Sequence, residues 1–385
     1  MKVITCIAPV NIAVIKYWGK RDENLILPLN DSLSATFSTD QMCAKTTIMA
    51  SPDFKENKIW LNGKEESFDN PRLCNCLKEL KKRSQKQSDL TNWNIHVCSE
   101  NNFPTAAGLA SSAAGYACFV FALSKLYEVE GDVTYIARQG SGSACRSIYG
   151  GWVRWHSGVL NDGSDSLATQ VVSASHWPEM RMLILVQSNH PKKDSSTSGM
   201  KRSVATSKLL EYRAKHVVPE RTEQMVRALK ERDFESFASI TMKDSNQFHS
   251  ICLDTFPPIK YLNETSFAII DLIHAYNEYR GTAKVAYTFD AGSNACLYLL
   301  EKDVPEVVSL IQEVFPTDTE TVEYFRGLPV AVEVLSEDLK RAVNISKHDS
   351  GALKYIIHTQ VGEGPQVLTD SEHLLNDAGL PKKLI

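Results

Sequence analysis

Residues 109–126 constrain this chain more than any other segment. They run Leu-Ala-Ser-Ser-Ala-Ala-Gly-Tyr-Ala-Cys-Phe-Val-Phe-Ala-Leu-Ser-Lys-Leu and carry one charge, Lys125. A helix that is small or apolar on nearly every face has to be packed on most of them, so this segment belongs inside a layered fold. Short alternating or apolar runs at 3–7, 34–37 and 45–49 read as the strands of one layer. Residues 59–61 and 65–68 flank Asn62-Gly63, which supplies the two positive φ angles of a type I′ turn, and together they read as a hairpin. A helix over 72–85 and a strand over 94–98 follow.

Beyond residue 181 the texture shifts to amphipathic helices over 196–210, 219–230, 234–245 and 266–279. Strands then read at 285–289 and 295–299, a helix at 304–315 and a last strand at 355–359. Helices and strands segregate within each half, so the expected class is α+β, with a cleft between two domains. At 385 residues each half can bury its own core. The expected division is 1–187 and 188–385, with the last segment packing back on the first domain.

Charge and cysteine content exclude several classes of function. The 42 Lys+Arg nearly balance 46 Asp+Glu, for a net charge of -4, which does not suit a general nucleic-acid binder. No apolar run approaches the roughly 18 residues of a membrane span. Nine scattered cysteines do not form a secreted disulfide framework, and Cys74-x-Cys76 has no second pair with which to make a zinc set. The opening Met-Lys-Val-Ile-Thr-Cys-Ile lacks a signal-peptide pattern, so the expected compartment is a reducing, cytoplasmic one.

Four segments carry residue types suited to chemistry. Asn101–Gly115 places Ala107, Gly108, Ser111 and Ser112 just before and inside the apolar helix. Small residues let backbone approach an anion, and a helix N-terminus offers free N–H groups; the same residues also suit an ordinary N-cap. A Walker loop is absent, because Gly19-Lys20 is followed by Arg21. In the second segment, Ala8–Asp22, Lys16, Lys20 and Arg21 stand beside Tyr17 and Trp18. That suits either a diphosphate clamp or a solvated turn with a core tryptophan. Third, Gly140-Ser141-Gly-Ser143-Ala-Cys-Arg146-Ser147 could converge on an oxyanion or be a structural loop. Fourth, Asp290 stands in Phe289-Asp-Ala-Gly292, at the tip between two strands, where it could orient a hydroxyl or cap an Asx-turn.

In order and spacing these segments resemble the GHMP small-molecule kinase superfamily. Pro104-x-x-x-Gly-Leu-x-Ser-Ser-Ala113 is similar to its phosphate-binding motif. Asn11-Ile-Ala-Val-Ile-Lys-Tyr-Trp-Gly-Lys-Arg21, Gly140–Ser147 and Tyr287-Thr-Phe-Asp-Ala-Gly292 resemble the narrower mevalonate diphosphate decarboxylase family, as do Ser195–Met200 and the closing Gly379-Leu-Pro-Lys. The likeness runs over essentially the whole chain. One departure is Ser293, where that family usually has proline; losing a fixed φ should loosen the turn that carries Asp290.

The resemblance implies a GHMP-kinase-like fold and ATP-dependent conversion of mevalonate 5-diphosphate to isopentenyl diphosphate, on the route to isoprenoids and sterols. It implies catalytic roles for Asp290, Lys16 and Arg146. Asn11, Tyr17, Lys20, Ser141 and Ser143, with Arg146, would bind the substrate. Ala107, Gly108, Ser111, Ser112 and Ser196 would hold ATP, with Mg²⁺ carried by the nucleotide near Ser112. A homodimer, with no nucleic-acid or membrane partner, completes the expectation. Two other readings stay open: a kinase that stops at a phosphorylated product, and a non-catalytic binding protein on the same fold.

Overall fold

Burial alternation and turn chemistry build three larger sheets and the two-stranded Lys20–Asp22/Leu27–Pro28 sheet in the computed structural model, which describes residues 1–84, 89–103, 111–187, 193–344 and 346–383. The first sheet has the strand order Gln366–Val367, Lys2–Pro9, Cys43–Ser51, Asn94–Asn101, Lys58–Leu61, Lys64–Glu66. At its hairpin, Asn62 and Gly63 have φ of 48° and 80°, the two positive angles that a type I′ turn needs. The apolar helix, Ser111–Leu126, lies across Lys2–Pro9 and Cys43–Ser51 and buries ten of its side chains there and against neighbouring helices. The fold therefore covers it on most faces, as its composition requires.

A four-stranded sheet follows the order Ala168–Val172, Trp152–Trp155, Ser32–Thr36, Asn11–Ile15. A five-stranded sheet has the order Val285–Phe289, Ala295–Leu300, Met180–Val186, Tyr355–Gln360, Phe325–Gly327. Met180–Val186, Met-Arg-Met-Leu-Ile-Leu-Val, is buried at every position and apolar at all but Arg181, which pairs with Glu301, because it is covered on both faces. Its ladder bonds go to Ala295–Leu300 and Tyr355–Gln360, so this strand belongs to the later half of the chain although it precedes residue 187.

The helix Phe234–Asp254 packs on Val285–Phe289 of the five-stranded sheet and on Asn11–Ile15 of the four-stranded one. Phe237 from this helix meets Trp152 and Tyr298 edge-on, with ring centroids 5.2 and 5.5 Å away, and the Tyr298 hydroxyl donates to the Ile12 carbonyl at 3.2 Å. One apolar core therefore continues through both halves.

Two helices differ from the sequence reading. The expected helix over 234–245 continues to Asp254, because Phe248, Ile251 and Cys252 bury against Trp18 and extend the apolar face. The expected helix over 196–210 divides into Ser196–Thr206 and Lys208–Tyr212. Ser207 is extended at the break, where its hydroxyl donates to Asp254 and accepts the Leu210 N–H, so capping bonds replace helical ones.

The closing segment lies on the first sheet. Gln366–Val367 pairs with Lys2–Pro9, His373 bonds the Thr5 hydroxyl, and the Gly379 carbonyl meets the ring nitrogen of His96 at 2.8 Å. Leu375 is 2 % exposed and packs with Met49, Trp60 and Cys98. Leu375→Ala should remove about 2–5 kcal/mol of stability, the usual cost of a buried leucine cavity. Chemical denaturation checks this; a loss below about 1 kcal/mol would mean that the tail only rests on the sheet.

Candidate active site

The strand Asn11–Ile15 is buried along its length, and its register against Ser32–Thr36 shifts between Ala13 and Ile15. Pairing resumes only at Ile15 with Leu33, and the chain then leaves the sheet with Lys16, Tyr17 and Trp18 facing a cavity of about 410 Å³. Lys20 reaches the same cavity from the short strand Lys20–Asp22. The 3₁₀ turn Gly142–Ser147 contributes Ser143 and Arg146, and Ser141 precedes it. A Cβ on Gly142 would lie 2.9 Å from the Trp155 ring and 3.0 Å from the Tyr17 ring and hydroxyl, so only glycine lets this turn approach.

Asp290 enters from the other half, one residue past the strand Val285–Phe289. Lys16 Nζ donates to Asp290 Oδ1 at 2.5 Å, with Lys16 buried and Asp290 half-buried at the cavity wall. The Asp290 turn closes with the Gly292 N–H bonded to the Asp290 carbonyl at 2.7 Å. The expected loosening at Ser293 is countered from outside the turn: the Ser293 carbonyl accepts from Gln187 Nε2 at 2.5 Å and from the Ser266 hydroxyl at 3.1 Å. The Asn294 side chain meanwhile accepts the Gln187 N–H at 2.8 Å.

Arg146 is fully enclosed, yet its described partners are neutral. Nε donates to Ser34 Oγ at 2.5 Å and to Asn11 Oδ1 at 3.3 Å, and Nη1 donates to Ser32 Oγ at 2.6 Å. Burial lowers its pKa from the ordinary arginine value, because no carboxylate among the described residues lies within ion-pair distance. Asn11 is held in turn, donating to the Ser143 carbonyl and the Ser147 hydroxyl. Among the described residues the buried Tyr17 hydroxyl finds no hydrogen-bond partner. Lys20 pairs with Glu23 at 2.6 Å. A buried cation without a counterion and an orphaned hydroxyl facing one cavity are what an anionic ligand would complete.

Ser111 and Ser112, in the first turn of the apolar helix, line the wall opposite, with Ser112 Oγ 3.5 Å from Ser141 Oγ. Ser196 and Thr197 bring the start of a second helix. Ala107 and Gly108 lie outside the described residues. Every other residue expected at the site lines the one cavity: Asn11, Lys16, Tyr17, Lys20, Ser111, Ser112, Ser141, Ser143, Arg146, Ser196 and Asp290.

Arg21 is a correction, since it does not join the cationic cleft. Its guanidinium turns outward and donates to the Ser157 and Leu160 carbonyls at 3.3 and 3.1 Å, because alternation along Lys20–Asp22 sends neighbouring side chains to opposite faces. Arg72 takes a place in the cleft that the sequence reading did not assign. It is the second residue of the helix Pro71–Arg83, after an Asn70 cap. A cation in a first helical turn opposes the helix dipole, and that local misfit is the signal that could have found it. The cavity thus sets four cations, Lys16, Lys20, Arg72 and Arg146, against one carboxylate, Asp290, among the described residues.

A second cavity of about 400 Å³ shares Ser111 and Ser112 with the first. Ile59, Leu73, Val97 and Phe119 make it apolar, while Asn62, Ser67, Asn70 and Tyr116 supply polar edges. Among the described residues no cluster of three or more His, Cys, Asp or Glu could hold a metal ion, all nine cysteines are free, and no helix is long and apolar enough to cross a membrane.

A cation-rich cleft between two α+β halves, with the first turn of one helix walling both a polar and an apolar cavity, fits the GHMP-kinase-like class that the sequence resembles. Comparison with known proteins narrows this class. A mevalonate 5-diphosphate decarboxylase C-terminal domain profile matches residues 182–368, and a diphosphomevalonate decarboxylase-like N-terminal domain profile matches 8–168. The chain is 54 % identical to the diphosphomevalonate decarboxylase of Danio rerio over 391 residues, covering 100 % of this chain and 97 % of that one. It is 53 % identical to the Homo sapiens enzyme of that name over 392 residues, covering 99 % and 98 %. The mevalonate diphosphate decarboxylase structure from Trypanosoma brucei superposes with a TM-score of 0.88 at 40 % identity, covering 97 % and 100 %. A further structure, in complex with MVAPP, AMPPCP and magnesium, has a TM-score of 0.74 at 27 % identity, covering 95 % and 99 %. The chain belongs to the mevalonate diphosphate decarboxylase family.

Two predictions follow from the electrostatics. Removing Arg146 relieves an uncompensated buried charge, so Arg146→Met should keep the ligand-free melting midpoint within about 3 °C of the parent, roughly 1 kcal/mol. The same variant should show a smaller upward shift than the parent with millimolar mevalonate 5-diphosphate, whose carboxylate it can no longer pair; a midpoint lowered by more than about 10 °C would make Arg146 structural instead. His249, buried beneath Asp290 with Nε2 3.3 Å from the Phe289 carbonyl, has a pKa lowered to about 3, first by burial and then by the Lys16 charge. The unfolded chain protonates His249 below the ordinary value of 6.5 and the folded chain does not until near 3, so stability falls as pH drops through that window. His249→Gln should therefore flatten the melting-point profile between pH 7 and 5; an unchanged slope would remove His249 from it.

Proposed function

We propose that this chain converts mevalonate 5-diphosphate and ATP to isopentenyl diphosphate, ADP, phosphate and carbon dioxide. The observation that carries the reading is the Lys16–Asp290 pair, 2.5 Å long, at the wall of a cleft whose other charged lining residues, among those described, are cations. The tertiary 3-hydroxyl is a poor leaving group, so its oxygen first attacks the γ-phosphorus of ATP. Asp290 orients that hydroxyl and accepts its proton, and Lys16 offsets the charge gathering on the transferred group. The C3–O bond then breaks, its electron pair leaving with the phosphate, which carries off the proton that Asp290 had taken, and the carboxylate so restored faces the positive charge that develops at C3. The pair of the bond to the carboxylate becomes the new double bond, and carbon dioxide departs.

Arg146 holds the carboxylate until that step, its fork kept in place by Ser32, Ser34 and Asn11. Tyr17, whose hydroxyl awaits a partner, joins Lys20, Ser141 and Ser143 on the 5-diphosphate. Ser111, Ser112 and Ser196, with Ala107 and Gly108, hold the ATP phosphates, and Arg72 adds charge on that side. Because Ser111 and Ser112 wall both cavities, phosphates seated on them direct the nucleoside into the second, apolar one. Mg²⁺ would come with the ATP phosphates beside Ser112 and would neutralise part of their charge there. A division into an ATP-binding domain and a second domain, with the boundary expected at 187 moved ahead of Met180 by the pairing of that strand, belongs to the same proposal, as do a homodimeric state and a cytoplasmic location, on the strength of the family resemblance.

Carbon dioxide and ADP released in equal amounts from mevalonate diphosphate would support the proposal, and ADP without carbon dioxide would favour a kinase. Asp290→Asn should lower kcat by roughly 10²–10⁴-fold, as expected for a general base. Turnover kept within a few-fold would overturn the role given to Asp290.

A further inference from the structure

Lys16 stands just beyond the end of a strand, where a sheet no longer fixes its backbone. A buried ionic cluster does so instead. Asp244, in the helix Phe234–Asp254, accepts the Lys16 N–H on Oδ2 at 2.8 Å. The same carboxylate takes both ends of the Arg213 guanidinium, at 2.7 and 2.9 Å, and Arg221 Nη1 at 2.9 Å. Arg213 also donates to the Lys16 carbonyl at 3.2 Å, so the residue is gripped at both its N–H and its C=O. Asp244 and Arg213 are completely enclosed.

The next residue of that helix holds the opposite partner. Ser245 Oγ accepts the Phe289 N–H at 3.0 Å, and His249, one turn on, meets the Phe289 carbonyl at 3.3 Å. Phe289 immediately precedes Asp290. Adjacent positions on one rigid helix therefore set the backbones of both members of the 2.5 Å pair. One buried N–H needs only a neutral acceptor, and apolar packing at such a join is often more stable than buried ions. The charged cluster does what apolar packing cannot, because it defines direction and distance at the Lys16 backbone.

We infer that Asp244 and Ser245 are positioning residues, which set the Lys16–Asp290 geometry from a single helix and act on turnover only through that pair. This rests on the roles given to Lys16 and Asp290 above. Neither residue lines the cavity.

The test is a set of mutant cycles on the full chain, with carbon dioxide release as the rate and mevalonate diphosphate and ATP as substrates. Displacing a reacting group by about 1 Å costs up to roughly 10²-fold, so Asp244→Asn should lower kcat by about 10–100-fold with either KM within about 3-fold. Ser245→Ala should lower kcat by about 3–10-fold and Ser245→Thr, which keeps the acceptor, should restore it. The deciding readout is non-additivity, followed by single turnover: Asp244→Asn should not slow the reaction further in a Lys16→Met background, nor Ser245→Ala in an Asp290→Asn background. Effects that multiply in those backgrounds, or a loss that falls on KM rather than kcat, overturn the inference. If Asp244→Asn does not fold, the Ser245 cycle decides alone by the same criterion. Unchanged turnover in Lys16→Met by itself would overturn the catalytic assignment, which separates that failure from failure of the positioning role.

Discussion

The ion pair between Lys16 and Asp290 joins residues 274 positions apart, and the rest of the site is arranged around it. Neither side chain could hold that geometry from its own strand end. Lys16 has left its sheet at a register shift, and Asp290 begins a turn. The fold answers by running one helix, Phe234–Asp254, beneath both strands, with a buried carboxylate and a buried hydroxyl on consecutive residues. Burial by itself would raise the Asp244 pKa; the Arg213 charge, hydrogen bonds from Arg213 and the Lys16 N–H, and Arg221 bring it below the usual carboxylate value.

The cleft shows the same economy with charge. The chain as a whole is slightly acidic, yet its central cavity gathers four cations around one carboxylate. Arg146 is the extreme case, desolvated and held by hydroxyls and an amide oxygen. A site of this kind is unfavourable when empty, because the cation has lost water without gaining an anion. A doubly anionic, carboxylate-bearing ligand repairs that deficit, so specificity and local instability have one origin.

Much of the site was legible because the motifs bring their own local geometry. Lys16 directly after Val14-Ile15, Asp290 after a strand and Arg146 in a Gly-Ser turn each lie where residue order puts a side chain at the end of an element. Arg21 was misplaced because the same reasoning ignored strand alternation, which sends it to solvent when Lys20 points inward. Arg72 was missed because its helix carries no other chemical signal. Helix ends followed the same rule: Ser207 interrupts a helix through bonds to Asp254, a residue 47 positions away that no local pattern reveals. The turn at Ser293 is steadied by Gln187 and Ser266, again from distant segments.

By itself, then, the amino-acid order determined the class of fold, the buried helix, the I′ hairpin, the family and most of the residues that meet in the cleft. These depend on periodicity, turn angles and short-range motifs, which are written within a few residues. Only the tertiary structure decided that Asp244 and Ser245 bond the Lys16 and Phe289 backbones from one helix and that Met180–Val186 belongs to the later sheet. Those outcomes depend on which buried polar groups and apolar faces find one another across the chain. That is a property of packing, and no local stretch of sequence contains it.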